Sequence, residues 1–520
     1  MKRQMKIAAV VSATALLAIG ASFTSMAAAK TGTWKNEDGT WYCYDKNGDV
    51  YENEFCMDGG KEFYVGDDGA VVYSSWVEHD GYMYYIQSDG SKASGVWKWL
   101  TPYEDDDADE AWYWFTASGK RLDSDYVTYQ GARYYFDAEG KNLTGWVDKS
   151  DYTQADEATD IANLVYCGED GARVTKDWVK VYAPGVDVEE DDLDDYDPYY
   201  YYLKSLGAPQ TGKASNIKGE TYFFAENGQM LDGWIVENGT NDDGDMTYIA
   251  VDGKDYKDGK TIGEFAAEGK KVYFACTTNG HAKKNKWIYE WANTDMKKED
   301  PDIDKNYYWV EKDGTVFVPA STSNAMLVDF VDGEDEGKEL VDATATNATE
   351  KTINNSIYAF DYDGKMLSGF VRKDANNGLY YYGEASDGAR KTGAQTIADE
   401  SGASYKFYFG TEDDNGYNKG VGITGAKNGK LYRDGLLKTA DDYKYEVVPV
   451  KTSKGDAVFI VNKSGSIQTS KKVYEDDGHF VICADDDKAH NPNVKFETAT
   501  GVKKGSVTGL ACTKTAAEHE

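Results

Sequence analysis

Residues 131–146 read Gly-Ala-Arg-Tyr-Tyr-Phe-Asp-Ala-Glu-Gly-Lys-Asn-Leu-Thr-Gly-Trp. An aromatic run at 134–136 enters a polar turn closed by Gly140, and the stretch ends in Gly145 and Trp146. The same order returns at 218–234 (KGETYFFAENGQMLDGW), 80–97 (DGYMYYIQSDGSKASGVW) and 357–370 (IYAFDYDGKMLSGF). Gly48, Gly69 and Gly90 stand 21 residues apart, as do Gly39, Gly60 and Gly81, then Trp76 and Trp97, then Gly119 and Gly140. Weaker copies end near Gly171, Gly280, Gly314 and Gly465. A fixed period of this length marks a repeat array.

Each unit reads as a β-hairpin. A strand of aromatics runs into a turn whose glycine tolerates φ > 0, and a shorter strand then ends in Gly-Trp. Counting back six residues from the turn glycine finds Tyr42, Phe63, Tyr84, Tyr113, Tyr134, Val165, Tyr222, Phe274, Tyr308, Tyr358 and Phe459. Four residues back stand Tyr44, Val65, Ile86, Phe115, Phe136, Cys167, Phe224, Cys276, Val310, Phe360 and Val461. Residues two apart share one face of a strand, so both series point inward. Cys167 and Cys276 then take core slots and read as buried thiols acting as small hydrophobes. The position between the two series holds Tyr64, Tyr85, Trp114, Tyr135, Tyr166, Phe223 and Trp309, on the opposite face. These rings either stack between neighbouring hairpins or line ligand grooves.

One hairpin cannot bury its own face, so successive units must stack. The expected fold is all-β, an elongated solenoid of stacked β-hairpin repeats of about 21 residues with acidic loop insertions. The insertions fall at 103–110, 149–162, 179–217, 290–305 and 318–355. The chain divides into a signal peptide (1–29), regular repeats (30–148), repeats with long acidic insertions (149–355), degenerate repeats (356–475) and an irregular tail (476–520). The acid runs at 104–107 and 189–195 gather carboxylates of the kind Ca²⁺ takes, but they lack the EF-hand spacing with its central Gly and final Glu. They read as solvated loops.

Composition agrees. The 520 residues include 13 Trp, 41 Tyr and 18 Phe, far too many aromatics for a disordered chain. Acids outnumber bases by 91 to 56. Without Lys2, Arg3 and Lys6 the net charge is −38. Such a field repels nucleic acid and anionic lipid, which excludes nucleic-acid partners. It also repels anionic wall polymers unless divalent cations intervene. Those three bases, the apolar stretch 7–19 and the small residues Ala27, Ala28 and Ala29 form a signal-peptide pattern. No later run reaches the ~20 apolar residues of a spanning helix. The mature chain is therefore expected to be secreted, extracellular and not stably inserted in a membrane.

Six cysteines (Cys43, Cys56, Cys167, Cys276, Cys483 and Cys512) are too irregularly spaced for a zinc ribbon and too sparse for a disulfide scaffold. Cys43 and Cys56 can pair.

The unit resembles the cell-wall-binding repeat of Gram-positive surface proteins, shared by choline-binding modules, glucan-binding domains and clostridial toxin repeats. The matching residues are those of 131–146 and 218–234, and the resemblance extends over most of 32–472. It implies a β-hairpin solenoid that holds teichoic-acid choline or cell-wall polysaccharide between consecutive hairpins. The resemblance implies choline recognition by an aromatic cage drawn from the Gly-Trp tryptophan, the first aromatic of the Trp-Tyr-Tyr strand and a neighbouring aromatic. That first position is Trp41, Trp112, Tyr273 or Tyr307 in only four units, so complete cages are few and weight moves towards glycan stacking. The candidate ligand rings are Trp76, Trp97, Trp112, Trp114, Trp146, Trp178 and Trp234, with Tyr85 and Tyr135.

Catalytic residues, metal ligands and cofactors are not expected. The longest stretches without a recognisable hairpin are about forty residues, short of the ~100 that a catalytic domain needs. His79, His281, His479, His490 and His519 stand in no metal-ligand spacing, and no GxSxG, Walker A or nucleotide fingerprint occurs. Two other readings stand beside wall or glycan binding. One is a structural or adhesive array with a surface protein partner; the other is a glycoside hydrolase built on an Asp/Glu pair that no motif excludes. Mass spectrometry of the exported chain should find its N-terminus close to Lys30; retention of residues 1–20 would overturn the processing expectation.

Overall fold

The computed structural model describes residues 29–105, 107–186, 197–252, 259–295, 303–332, 338–373, 378–412, 418–441, 444–452, 455–468, 473–476, 479–483 and 494–497. The apolar leader, the acid run at 189–195 and most of the tail lie outside the described residues. The chain divides into two compact units. The first takes the described residues up to Pro198 together with Tyr202–Pro209; the second takes Tyr199–Tyr201 and the described residues from Gln210 onward.

Unit 1 is a succession of antiparallel hairpins. Thr33–Glu37 pairs with Thr40–Tyr44, Glu54–Asp58 with Lys61–Val65, and Ser75–His79 with Tyr82–Ile86. Val96–Leu100 then pairs with Ala111–Phe115, Asp125–Tyr129 with Ala132–Phe136, and Gly145–Asp148 with Leu164–Cys167. The tight hairpin loop is not the polar turn singled out in the sequence. It is the two-residue step before the aromatic strand, as at Asp38-Gly39, Asp80-Gly81 and Gln130-Gly131, where both residues have positive φ. That geometry matches strand twist. The Gly-Trp strand therefore pairs with the aromatic strand that follows it.

The polar turn does a different job. At Gly90 the glycine N–H donates to the Gln87 carbonyl (2.9 Å) and the Gln87 N–H to the Ser91 carbonyl (2.8 Å). The chain then returns with a single bridge, Ile86 to Lys92. Two residues past the turn glycine, a backbone N–H crosses to the preceding repeat. Val71 donates to the Trp41 carbonyl, Lys92 to Glu62, Arg121 to Met83, Asn142 to Trp112 and Arg173 to Arg133, all at 2.8–3.0 Å. Each acceptor lies seven residues before the previous turn glycine. Pro209 occupies the next such slot and has no N–H to give. Unit 1 ends there.

Both strand faces are more buried than alternation predicts. Inward positions such as Ile86, Phe115, Phe136 and Cys167 are fully buried. On the other face Cys43, Tyr64, Tyr135, Phe223 and Trp309 are buried too, while Tyr85, Trp114 and Tyr166 are half-buried. The cause is register. The Gly-Trp tryptophan stands directly opposite this middle position (Trp76 to Tyr85, Trp97 to Trp114, Trp146 to Tyr166), and the rings cover each other edge to face at 5.2–5.5 Å. Such pairs contribute about 0.5–1.5 kcal/mol beyond area burial.

Two expected insertions are not loops throughout. Within 179–217 the strand Tyr199–Leu203 leads into a further repeat turn, in which Gly207 N–H donates to Lys204 O (2.9 Å). Within 318–355, Ser323–Asp332 and Lys338–Ile353 are long paired strands of a five-stranded sheet in unit 2. The β-branched Val341, Thr344, Thr346, Thr349 and Thr352 favour that pleat. Among the described residues the one α-helix is Ile262–Ala267, closed by a capping box between Thr261 and Glu264.

The count from turn glycines also slips in one unit. The turn at Cys276 to Gly280 is a residue longer than those at Gly90 or Gly119, so Phe274 faces Trp234 and Ala275 takes the core slot. Cys276 is thereby moved into the half-exposed turn, 3.1 Å from Thr278 Oγ1, and that hydrogen bond lowers its thiol pKa. Cys167 keeps its core slot, and burial pushes its thiol up to about 12. Cys43 and Cys56 are buried free thiols hydrogen-bonded to each other.

Two outcomes follow for stability and reactivity. Gly140 has φ +74°, and an added Cβ would lie 2.6–2.7 Å from Asp123 and Arg121 of the repeat before. Gly140→Ala should cost about 1–3 kcal/mol in urea unfolding. Gly131→Ala has open space around it and should cost only the backbone term, ~1 kcal/mol. With iodoacetamide at pH 8, Cys276 should react first, and Cys43, Cys56 and Cys167 only after unfolding. Peptide mapping reads the order.

Candidate ligand-binding surfaces

Two aromatic surfaces in unit 1 are open to solvent. The first is on the hairpin Val96–Leu100/Ala111–Phe115. Trp97 and Trp99 alternate onto one face, and the register sets Trp114 opposite Trp97 and Trp112 opposite Trp99. Four indoles therefore share one sheet face. Trp97 meets Trp114 at 5.4 Å and Trp112 at 6.2 Å, and Trp99 meets Trp112 at 5.3 Å. Tyr129 of the next hairpin extends the surface, 5.3 Å from Trp114. Trp99 is 48% exposed, and Trp112 and Tyr129 are each 37% exposed. The Trp99 Nε1–H donates to Glu110 Oε2 at 2.6 Å, which fixes the outermost ring. Flat apolar rings with a carboxylate beside them suit a ligand that presents C–H faces and hydroxyl donors.

The second surface is a recess of about 190 Å³ lined by Trp34, Trp41, Phe63 and Tyr73, with Asp58 and Asp89 at its edge. Trp34 packs edge-on against Phe63 at 5.7 Å and donates its Nε1–H to the Met57 carbonyl at 3.2 Å. Trp41 and Tyr73 are nearly half exposed. Hydrogen bonds from Ser91 and Lys61 hold the Asp89 carboxyl well below the usual carboxylate range, so it is an anion at neutral pH. Ring faces beside carboxylates can also receive a cation.

The candidate rings divide accordingly. Trp97, Trp112 and Trp114 come together in the first surface. Trp76 and Tyr85 are half-buried against Tyr113 and Phe115, with the Trp76 Nε1–H given to the Thr101 carbonyl at 2.9 Å. Trp178 packs on Tyr202 at 5.3 Å. Tyr135, Trp146 and Trp234 are 2%, 6% and 0% exposed, so burial removes them from direct contact with a ligand. Trp146 donates to the Tyr182 carbonyl and Trp234 to the Trp291 carbonyl, which completes their satisfaction in the core. Trp99, Tyr129 and Tyr73 lie outside the Gly-Trp motif, with the alternation Trp-Lys-Trp at 97–99 as the available signal, whereas Trp34 follows Gly32 with the spacing of Gly95 and Trp97 and was legible from it.

Among the described residues, no group of three or more His, Cys, Asp and Glu is placed to hold a metal ion, and no helix is long and apolar enough to cross a membrane.

No family model matches the sequence. Among curated proteins, the chain is 25% identical over 462 residues to glucosyltransferase-I of Streptococcus downei and 24% identical over 384 residues to glucosyltransferase-S of Streptococcus mutans. The repeats are similar to those of the cell-wall- and glucan-binding family. The alignments cover 85% and 70% of this chain but only 25% and 22% of those proteins, so the chain spans about a quarter of their length. Similar solved structures include CbpJ from Streptococcus pneumoniae (TM-score 0.35, 16% identity, 67% of this chain and 98% of that one). Another is the modular autolysin LytC of Streptococcus pneumoniae in complex with a synthetic peptidoglycan ligand (TM-score 0.34, 13% identity, 65% and 53%).

Proposed function

We propose that this chain is a secreted, non-catalytic repeat protein that binds cell-wall or glucan polysaccharide by aromatic stacking. The observation that carries the reading is the four-indole face of Trp97, Trp99, Trp112 and Trp114, extended by Tyr129 and edged by Glu110. Indole rings offer large area at low entropic cost, and a carboxylate beside them accepts hydroxyl protons. Curated relatives named as glucosyltransferases and solved neighbours named as choline-binding or peptidoglycan-bound proteins support a wall-polymer ligand. A choline-type ligand is a second reading, favoured at the Trp34/Trp41 recess by the carboxylates of Asp58 and Asp89.

Individual sites of this kind are weak, and linked sites on one polymer raise retention without new contacts. The protein's negative field opposes anionic wall polymers, so retention on them should rise with divalent cations, whereas retention on neutral glucan should not.

Pull-down on purified cell walls, with and without teichoic acid, and on insoluble α-glucan tests the reading. Trp97→Ala or Trp112→Ala alone should weaken retention about fivefold, from ~1 kcal/mol per ring, and the double variant by more than tenfold. Trp41→Ala should lower only the part of wall retention that free choline competes away. A folded Trp97→Ala/Trp112→Ala variant that binds as the parent does would remove this face as the site.

A further inference from the structure

Most inter-repeat backbone bonds set two side-chain positions next to each other: the acceptor seven residues before one turn glycine, and the donor two residues after the next. Among the described links, three have an aromatic acceptor, and their donors are neutral: Trp41 with Val71, Trp112 with Asn142, and Tyr307 with Met366. Four donors are cationic, and none of their acceptors is aromatic: Glu62 with Lys92, Met83 with Arg121, Arg133 with Arg173, and Ile357 with Arg390. The remaining links pair neither an aromatic acceptor nor a cationic donor, as in Thr221 with Ala282.

The four cations are seated inside the array. Each side-chain stem runs beneath the following turn glycine, where a Cβ would collide with it: Gly119 over Lys92, Gly140 over Arg121, Gly207 over Arg173 and Gly420 over Arg390. The Lys92 side chain is 5% exposed, and its ammonium is paired with Glu62 while lying 4.8 Å from the Phe55 ring centre and 5.4 Å from that of Tyr84. The Arg121 side chain is 6% exposed, with its Nε bonded to Asp123 at 2.6 Å and its guanidinium carbon 5.8 Å from the Trp76 ring centre. Arg173 donates to the Tyr135 hydroxyl at 3.2 Å. Arg390 bonds Glu350 at 2.9 Å and lies 5.7 Å from the Tyr380 ring centre.

Phe55 and Tyr84 hold the places that Trp34 and Phe63 hold one repeat earlier, where Val71 leaves the recess open. We propose that Lys92, Arg121 and Arg390 are tethered cations that occupy the ring faces of their own repeats, with Arg173 bonded instead to the Tyr135 hydroxyl. They cover those ring faces against a ligand cation, although the space beside Phe55, Glu62, Tyr84 and Lys92 is a polar cavity of about 930 Å³, and leave the repeats of Trp41, Trp112 and Tyr307 as the receptive ones. A side chain already in place loses little entropy on seating, whereas a free cation must be immobilised and must also displace it. The assignment rests on the reading that ligands enter between hairpins, and it sets both the number of sites and their chemistry: a closed slot has the character of a site for a quaternary ammonium group, already occupied.

The test uses tetramethylammonium chloride as probe on the full mature chain, read by ring-proton shifts and tryptophan fluorescence. Lys92→Ala keeps Glu62, Phe55 and Tyr84, and should bind the probe at that slot at least about tenfold more tightly than the parent. Lys92→Arg should not. Arg121→Ala, reported by Trp76, decides the matter if Lys92→Ala loses its β-sheet circular dichroism. Folded alanine variants that gain no binding at these slots, or a parent that binds there as well as they do, would overturn the proposal. Wall and glucan retention is measured in parallel and should be unchanged in both alanine variants; a loss in folded protein would show that these repeats are ligand-receptive and would also overturn it. A parent that is not retained on either polymer sinks the polysaccharide reading while leaving the probe comparison decisive.

Discussion

The structure of unit 1 depends on one backbone hydrogen bond repeated from unit to unit. It joins the N–H two residues past a turn glycine to a carbonyl at the start of the preceding aromatic strand. An isolated two-stranded hairpin is marginal in water, so this link and the ring packing beside it turn separate hairpins into an array. Because both partners are main-chain atoms, the side chains at these positions are free to vary. Glu62, Met83, Trp112 and Arg133 all serve as acceptors equally well. The repeat can therefore change chemistry from one hairpin to the next without losing its geometry. Pro209 removes the donor at one such slot, and hairpins nevertheless continue with Gly212–Ile217 paired to Glu220–Phe224.

The turn glycine has two physical roles in this scheme. Its positive φ closes the turn, and its missing Cβ admits the side chain of the repeat before. At Gly119 and Gly140 the incoming side chains are charged, and at Gly69 the neighbour is Val50. Burying a cation is tolerable at three of these positions because it finds a carboxylate as well as a ring: Glu62 for Lys92, Asp123 for Arg121, Glu350 for Arg390. The same crowding explains why so many rings are inaccessible. Cross-strand pairing covers the Gly-Trp tryptophan from one side and the next repeat covers it from the other. Exposure survives where a strand carries a second aromatic further from the turn, as Trp99 and Trp112 do.

Function follows from what this packing leaves uncovered. Among the described residues rings are abundant, and the two open groups of unit 1 have carboxylates beside them. A wall- or glucan-binding array built this way would act through a small number of modest sites spaced along one chain, with intervening repeats serving as spacers that hold the geometry.

The all-β class, the repeat and its glycines were legible in the sequence because period and turn chemistry are local properties. The inward series from Ile86 to Phe136 was legible for the same reason, since alternation along a strand needs no tertiary information. Which strands pair was not: the Gly-Trp strand joins the aromatic strand after it, because the two-residue loop with positive φ matches strand twist better than the polar turn does. The slip at Cys276 came from one added turn residue, invisible to counting. Among the candidate rings, the repeat pattern named Trp97, Trp112 and Trp114 alongside Trp146 and Trp234 but could not tell which of them stay exposed and which are buried. Accessibility is a property of what a neighbouring repeat contributes, and that contribution lies about a repeat or more away in sequence. Only the tertiary structure decides it, because only there do Val71, Lys92, Arg121 and Asn142 meet the rings they leave open or fill.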